Sequence, residues 1–350
     1  MGQEHISNIA LLEGVEVGAL VEPDAQMRAL AQAAARGAAA HASLAEMLAA
    51  EAGSLDALVI ASPNDLHLAH FAEIAASAPL PLLIEKPVYT EASGAATLRD
   101  LAARYPAPVW VAMEYRYMPP IAALISAAEA ATGGIRMLTI REHRFPFLDK
   151  VGGWNRFNAR TGGTLVEKCC HFFDLMRLIL ADEPVRVMAT GGQAVNHLDE
   201  TVLGQRPDVW DHAYVIVEFS RGARAMLELC MFAEGGRWQE EICVTGPAGK
   251  AECFVPGPGR FWPANLPAPV AELVISPRHP KGPAGREIPV PAELLAAGDH
   301  NGATFYQHLR FAEVVRGGGN VEVTVEDGAR AVEMGLAAQR SAETGQAVGV

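Results

Sequence analysis

Over the first third of the chain, short and mostly apolar runs alternate with longer stretches in which Ala and Leu recur at helical spacing. Residues 15–21 (VEVGALV), 55–61 (LDALVIA), 80–84 (LPLLI) and 109–113 (VWVAM) are predicted to be strands. Residues 24–36, 66–76 and 91–104 are predicted to be helices, the first opened by an Asp24 cap. Strands without polar alternation are strands covered on both faces, so this part is expected to be a parallel, doubly wound α/β sheet. Beyond about residue 120 the texture changes. After a helix at 121–132, residues 136–144, 185–190, 213–219, 223–230 and 240–245 alternate as strands with one wet face do, and the SRGA turn at 220–223 signals a hairpin. Residues 256–291, rich in Pro and Gly, are expected to form irregular loop, and 305–316 and 325–344 helices. The predicted organisation is an α/β domain over residues 1–118 and an α+β domain with a large, mainly antiparallel sheet over 119–350.

Composition narrows the function classes. Half of the 350 residues are hydrophobic and 20% are charged, which supplies a core and excludes disorder as the main state. The 28 basic and 41 acidic residues leave a net charge of −13, which argues against nucleic acid or an anionic membrane as partner. No apolar run approaches a membrane span and no basic, then apolar leader opens the chain, so the expected location is the cytoplasm. The five cysteines show no CxxC spacing, so neither a disulfide framework nor a metal site is expected.

The chemistry-bearing residues cluster at predicted strand ends. Gly2-Gln3-Glu4-His5 opens a helix followed by a strand ending at Glu22. In a dinucleotide-binding βαβ unit, a strand and a G-x-G-x-x-G turn precede that helix, and Gly2 stands where the third glycine would. The alternative is that Met1-Gly2 opens an ordinary helix. On the first reading the unit is N-terminally truncated as written. The first strand of such a sheet lies at its centre, so a gap is expected between the strands at 15–21 and 55–61, and weak NAD binding by the chain as written. Glu22 stands where a carboxylate accepts from ribose hydroxyls and repels a 2′-phosphate, which favours NAD over NADP. Ser62-Pro63-Asn64 and Glu85-Lys86-Pro87 both follow predicted strands, at the edge where open α/β sheets bind ligands. Glu167, His171 and Asp174 are spaced i, i+4, i+7 and on one continuous helix would share a face as a proton-transfer unit; the alternative is a satisfied polar cluster. Zinc on Cys169, Cys170 and His171 is disfavoured, because adjacent helical residues point apart.

Taken with His67, Tyr115-Arg116-Tyr117-Met118-Pro119, Gly162-Gly163-Thr164 ahead of His171 and Asp174, and the ending Glu326-Asp327-Gly328 with Ser341-Ala342-Glu343-Thr344-Gly345, these motifs resemble the Gfo/Idh/MocA family along nearly the whole chain. The resemblance implies an N-terminal Rossmann domain binding NAD(P), with Gly2, His5, Glu22, Ser62, Pro63, Asn64, His67, Glu85, Lys86 and Arg116 as cofactor-binding positions. It also implies a C-terminal domain whose sheet makes homodimer or homotetramer contacts, and an active site between the two. By analogy Lys86 supports proton transfer and His171 is the general acid/base, with Asp174 and Glu167 orienting it. His143, Trp154 and Arg156 are the candidate substrate contacts, each with a surface role as the alternative. The family commonly has Asp-x-Gly-x-His where this chain has Glu167-Lys168-Cys169-Cys170-His171. The implied activity is hydride transfer between nicotinamide and a secondary alcohol of a sugar, cyclitol or related polyol. The alternatives are an NAD-using lyase or glycosidase of the same fold, or a non-catalytic nucleotide-sensing protein.

Overall fold

Each short apolar run of the first part forms a three-residue strand, and two of the helices between them begin where a polar side chain caps free backbone N–H groups. The computed structural model describes residues 1–350. In chain order it opens with α1 (Gly2–Ile9), β1 (Ala19–Val21), α2 (Ala25–Ala34), β2 (Ala39–His41), α3 (Leu44–Glu51), β3 (Leu58–Ile60), α4 (His67–Ser77), β4 (Leu82–Ile84), α5 (Gly94–Arg104) and β5 (Val109–Val111). Asp24 caps α2 by accepting from the N–H groups of Gln26 and Met27. Neither β2 nor α3 was anticipated. Ser43, capping α3, accepts from Glu46 N while the Glu46 carboxylate reaches back to Ala42 N, so the S-x-x-E pattern was the signal available for that helix.

All pairings in this part are parallel, and the sheet is in two pieces: β1 pairs with β2, and β3 with β4 and then β5. The strands predicted at 15–21 and 55–61 therefore belong to separate sheets, the interruption expected there. Leu82, Leu83, Ile84, Trp110, Val111 and Phe71 are fully buried around the three-stranded piece.

The second part continues with α6 (Pro119–Thr132), β6 (Met137–His143), α7 (Asn158–Thr161), α8 (Thr164–Glu167), α9 (Cys170–Leu180), β7 (Pro184–Gly192), β8 (His212–Phe219), β9 (Arg224–Cys230), β10 (Glu240–Thr245), β11 (Gly249–Val255), β12 (Ala271–Pro277) and β13 (Ala284–Ile288). Then come α10 (Ala292–Ala297), α11 (Ala303–Val315), α12 (Val325–Thr344) and β14 (Val348–Gly349). One nine-stranded sheet runs β13-β12-β11-β10-β6-β9-β8-β7-β14, antiparallel except where β6 lies parallel to β9. Along β6 the buried positions are Leu138, Ile140 and Glu142, and along β10 Glu240, Ile242 and Val244, the period of two that a one-sided sheet requires. Met188, Tyr214 and Ile216 are exposed on the opposite face.

Three expectations need correction. Residues 256–291 are not all loop: they contain β12 and β13, and the alternation in Ala271–Pro277 is hidden in sequence by the prolines around it. The chain divides into Met1–Tyr117 with Pro291–Ala329 and Met118–Val290 with Arg330–Val350, so 291–329, assigned from sequence to the second domain, packs with the first. The helix expected across Glu167 to Asp174 is two helices. Cys169 N bonds to Thr164 O five residues back and Phe172 N to Cys169 O three back, a wide turn followed by a tight one that shifts the helical phase.

Gly335, inside α12, touches the backbone that leads into the break. A Cβ there would lie 2.5 Å from Leu165 O and 3.0 Å from Val166 Cα. Alanine normally stabilises a helix interior relative to glycine, but here the obstructing atoms are main chain and cannot swing aside. Gly335→Ala is expected to lower stability by about 1–3 kcal/mol, the scale of overpacking, read as a lower urea midpoint; an unchanged or higher midpoint contradicts this packing.

Candidate functional site

In the first unit, the functional side chains sit where parallel strands end. Glu85 and Lys86 follow β4, and Glu85 is 3% exposed. Its Oε1 lies 3.1 Å from His5 Nε2, and its Oε2 accepts from the backbone N–H of Lys86 at 3.3 Å. Burial alone would raise its pKa, but the His5 hydrogen bond and the charges of His5 and Lys86 outweigh that and bring it down to about 2. Ser62 and Pro63 follow β3, and a buried Asn64 begins a 3₁₀ turn. His67 lies against two carbonyls, Pro87 O at 2.7 Å and Ser62 O at 2.9 Å, and burial holds its pKa below the usual value. Its ring thus laces together the two strand-end loops, and neither nitrogen is turned to a ligand, a correction to its expected cofactor contact.

Glu22 follows β1, and its Oε1 accepts from Asp24 N at 2.9 Å. Arg28 Nη1 donates to the carbonyls of Glu22 at 2.6 Å and Pro23 at 3.1 Å. The sequence argument looked for an arginine only within Pro23-Asp24-Ala25; the helical turn brings one back from position 28. Nothing lies within 4 Å of where a Gly2 Cβ would stand, so the space beside the start of α1 is open. Arg116, in the 3₁₀ turn Glu114–Tyr117, donates to Glu322 O at 3.1 Å.

Sequence reasoning missed a second group in this unit. Glu4 accepts from His300 Nδ1 at 2.8 Å, and His300 also lies 3.6 Å from Glu114 Oε1, whose partner oxygen accepts from Thr304 at 2.6 Å. Burial raises the pKa of Glu114; for Glu4 burial is outweighed by His300, which brings it down to about 2. The residues present fit NAD at the carboxyl edge of the strands: Glu22 for ribose hydroxyls, Ser62 and Lys86 at the ends of β3 and β4, and an amino end of α1 with open space at Gly2.

In the second unit, Gly162 and Gly163 turn the chain with φ of 82° and 87°, a region that favours glycine, and start α8. Glu167 ends α8, and His171 and Asp174, each 1% exposed, lie three apart in α9. The one continuous helix expected to carry all three is thus two helices, with Glu167 on the first and His171 and Asp174 on the second. Lys168, in the break, turns inward. Its Nζ is 2.8 Å from Glu142 Oε1, with Arg144 Nη1 at 3.7 Å from the same oxygen, and Glu142 stands directly opposite Glu240 in the β6–β10 register. Gln239 donates to Glu240 Oε1 at 2.7 Å, while Glu240 Oε2 is buried without a partner. Burial and the neighbouring Glu142 raise Glu240 to about 7, and burial and Arg144 lower Lys168 to about 8.

The substrate candidates fare differently. His143 follows Glu142 by one residue and so projects from the other face of the sheet, where its Nε2 meets Glu228 at 2.9 Å; it is not on the side where Glu142 meets Lys168. Arg156 is 3% exposed, and its guanidinium donates to Glu200 and Asp149 at 2.8 and 2.7 Å and to Asn155 and the Leu148 carbonyl, so it fastens loops instead of facing a substrate. Trp154 is half-buried in the segment Val151–Arg156.

Lys168→Met leaves two buried carboxylates without their ammonium and is expected to cost about 3–5 kcal/mol, the scale for breaking a buried pair. Glu240 has a sharper signature. Its folded pKa is raised, so its contribution is fully present below the unfolded value of 4.5 and is lost as pH rises through about 7. Glu240→Gln is expected to remove that decline, read as thermal midpoints across this window; a parallel decline in variant and wild type refutes it.

The family models described as "Oxidoreductase family, NAD-binding Rossmann fold" and "Oxidoreductase family, C-terminal alpha/beta domain" match residues 1–113 and 130–350. The rhizopine catabolism protein MocA of Rhizobium meliloti is 27% identical over 76% of this chain and 77% of its own length. An inositol 2-dehydrogenase of Rhizobium meliloti is 28% identical over 57% of each chain. Among solved structures, the WlbA dehydrogenase of Bordetella pertussis, in complex with NADH and UDP-GlcNAcA, superposes with a TM-score of 0.77 at 19% identity, covering 99% of this chain and 94% of its own. The aldose-aldose oxidoreductase of Caulobacter crescentus gives 0.76 at 18% over 99% and 95%. No helix is long and apolar enough to cross a membrane. With both of its parts matched, the chain belongs to the Gfo/Idh/MocA family of oxidoreductases with an NAD-binding Rossmann fold.

Proposed function

We propose that the protein is an NAD-dependent dehydrogenase acting on a secondary alcohol of a cyclitol, sugar or related polyol. The observation that carries this reading is the buried His171–Asp174 pair in α9 behind the Gly162-Gly163 turn, in a chain that also keeps Lys86 fixed at a parallel strand end by Glu85. The relatives named inositol 2-dehydrogenase support the polyol class. Bound NAD⁺ supplies the hydride acceptor. Hydride leaves a carbinol carbon more easily when the hydroxyl proton leaves with it, so His171 takes that proton, Asp174 orients the imidazole, and the Lys86 ammonium stabilises charge developing on oxygen. Glu22 favours NAD over NADP, although Arg28 beside it offers a cation to a 2′-phosphate. The exposed Met188, Tyr214 and Ile216 on the open face of the nine-stranded sheet are the surface proposed for pairing with a second copy.

Lys86→Ala and His171→Ala are each expected to lower kcat on myo-inositol, or on the polyol that a substrate screen identifies, by about 10²-fold or more while the fold persists. Near wild-type turnover in either variant excludes the assigned role, and product formation without net NADH points to transient NAD use in elimination or glycoside cleavage. Fluorescence titration is expected to show tighter binding of NADH than NADPH; the reverse order refutes the Glu22 argument.

A further inference from the structure

Arg144 follows β6 where that strand leaves the nine-stranded sheet, and its side chain is only 12% exposed. A guanidinium so far removed from water normally gives its N–H groups to carboxylates or carbonyls. Here the ion pair with Glu142 spans 3.7 Å from Nη1, beyond hydrogen-bond reach, and Nε is buried with no partner. Glu142 is already met by Lys168 Nζ at 2.8 Å, and Glu240, opposite Glu142 in the register, accepts from Gln239. The carboxylates of this cluster are therefore answered by other groups, and Arg144 is surplus to them.

What holds Arg144 is an aromatic ring. Its Cζ lies 4.3 Å from the centroid of Phe145, which is 5% exposed and stacks on Phe261 with centroids 4.6 Å apart and planes at 27°. A second guanidinium reaches the same pair of rings from the 3₁₀ turn Gly259–Phe261. Arg260, which is exposed, places Cζ 5.2 Å from the Phe145 centroid and 4.7 Å from that of Phe261. A ring face attracts a cation but accepts nothing in the plane of a guanidinium that lies over it, so stacking fixes Arg144 and leaves its in-plane donors to another partner. One cation is thus fixed within the protein and a second stands at its surface, both held against one aromatic pair.

We propose that Arg144 and Arg260 form an anion subsite that takes a carboxylate of the substrate, so that the polyol this protein binds is a sugar acid. Because Arg144 Nε is buried, the entering carboxylate meets the Nη groups of Arg144, with Arg260 closing on it from the exposed side. A carboxylate is planar, as the guanidinium is, and brings a single negative charge. A phosphate would bring nearly two beside Glu142. Lys168, which shares Glu142 with Arg144, is three residues ahead of His171 in the chain, and this ties the subsite to the segment that carries the candidate acid/base. The word substrate rests on the dehydrogenase reading; the anion subsite itself needs only residues of the second unit.

The test is an NMR titration of the full chain labelled with ¹⁵N-arginine, read at the Nε–H signals of Arg144 and Arg260 and run without cofactor, so that its outcome is separate from whether hydride transfer occurs. Arg144→Lys and Arg260→Lys assign the two signals, and since Arg260 is exposed its variant keeps the test open if Arg144→Lys does not fold. The probes are D-glucuronate, D-galacturonate and D-gluconate, each beside its uncharged counterpart D-glucose, D-galactose or D-glucitol, with acetate as the bare carboxylate. At least one acid is expected to shift both signals saturably, the uncharged sugars to leave them in place, and acetate to bind about 10-fold more weakly or worse. Folded Arg144→Lys, which keeps the charge but loses the planar fork, is expected to weaken that acid by about 10-fold. Signals unmoved by all three acids, or moved equally by an uncharged counterpart, overturn the subsite. Acetate binding as tightly as the acids means an adventitious ion only and overturns it too. An acid that binds there but is never oxidised with NAD⁺ leaves the subsite standing and refutes the dehydrogenase reading, whereas oxidation of a neutral polyol with no acid bound does the reverse.

Discussion

A carboxylate removed from water must be met by donors or take a proton, and in the second unit that constraint shapes the site. Alternation along β6 and β10 places Glu142 and Glu240 side by side on the covered face. Two such groups in contact cannot both ionise without a cation between them, and Lys168 is the residue that reaches in. Its inward turn coincides with the wide-then-tight turn at 168–172, which ends α8 at Glu167 and restarts the helix with His171 in its first turn. Lys168, at an unspecified position of the Asp-x-Gly-x-His pattern, is thus matched by a counter-ion on another strand.

The first unit meets the same constraint with histidines. Glu85 is clamped by His5 on one oxygen and by the Lys86 backbone on the other, and Glu4 and Glu114 share His300. These groups come from α1, from the ends of β4 and β5, and from 291–329, the segment that returns to the unit late in the sequence. Strands of three residues, in a sheet divided between β1–β2 and β3–β4–β5, supply few backbone bonds of their own. The buried polar links therefore carry much of the tie between these segments.

Arg156 and His143 illustrate why residue type alone misassigns a role. Both have side chains suited to sugar hydroxyls and both lie near the Gly162-Gly163 turn in sequence. Arg156 spends its donors on Glu200, Asp149, Asn155 and the Leu148 carbonyl, and His143 falls on the far face of the sheet through the period of two. The latter was legible in principle, since Leu138 and Ile140 fix which face of β6 is covered and His143 is out of phase with them. The former was not, because its partners lie on loops whose paths no local pattern encodes.

What the sequence determined by itself was what a few adjacent residues can enforce. The βα rhythm, the Asp24 cap, the alternation of β6, β8, β9 and β10, the Gly162-Gly163 turn and the position of Glu85-Lys86 after a strand all follow from backbone hydrogen bonding and side-chain period over short windows. The family motifs rest on the same local features. Tertiary structure alone decided which groups answer the buried charges: Glu142 for Lys168, His5 for Glu85, and His308 for His5 across 303 residues of chain. It also decided the return of 291–329 to the first unit and the break that separates Glu167 from His171. A buried polar atom requires a partner but does not specify where along the chain that partner comes from, and only packing brings the two together.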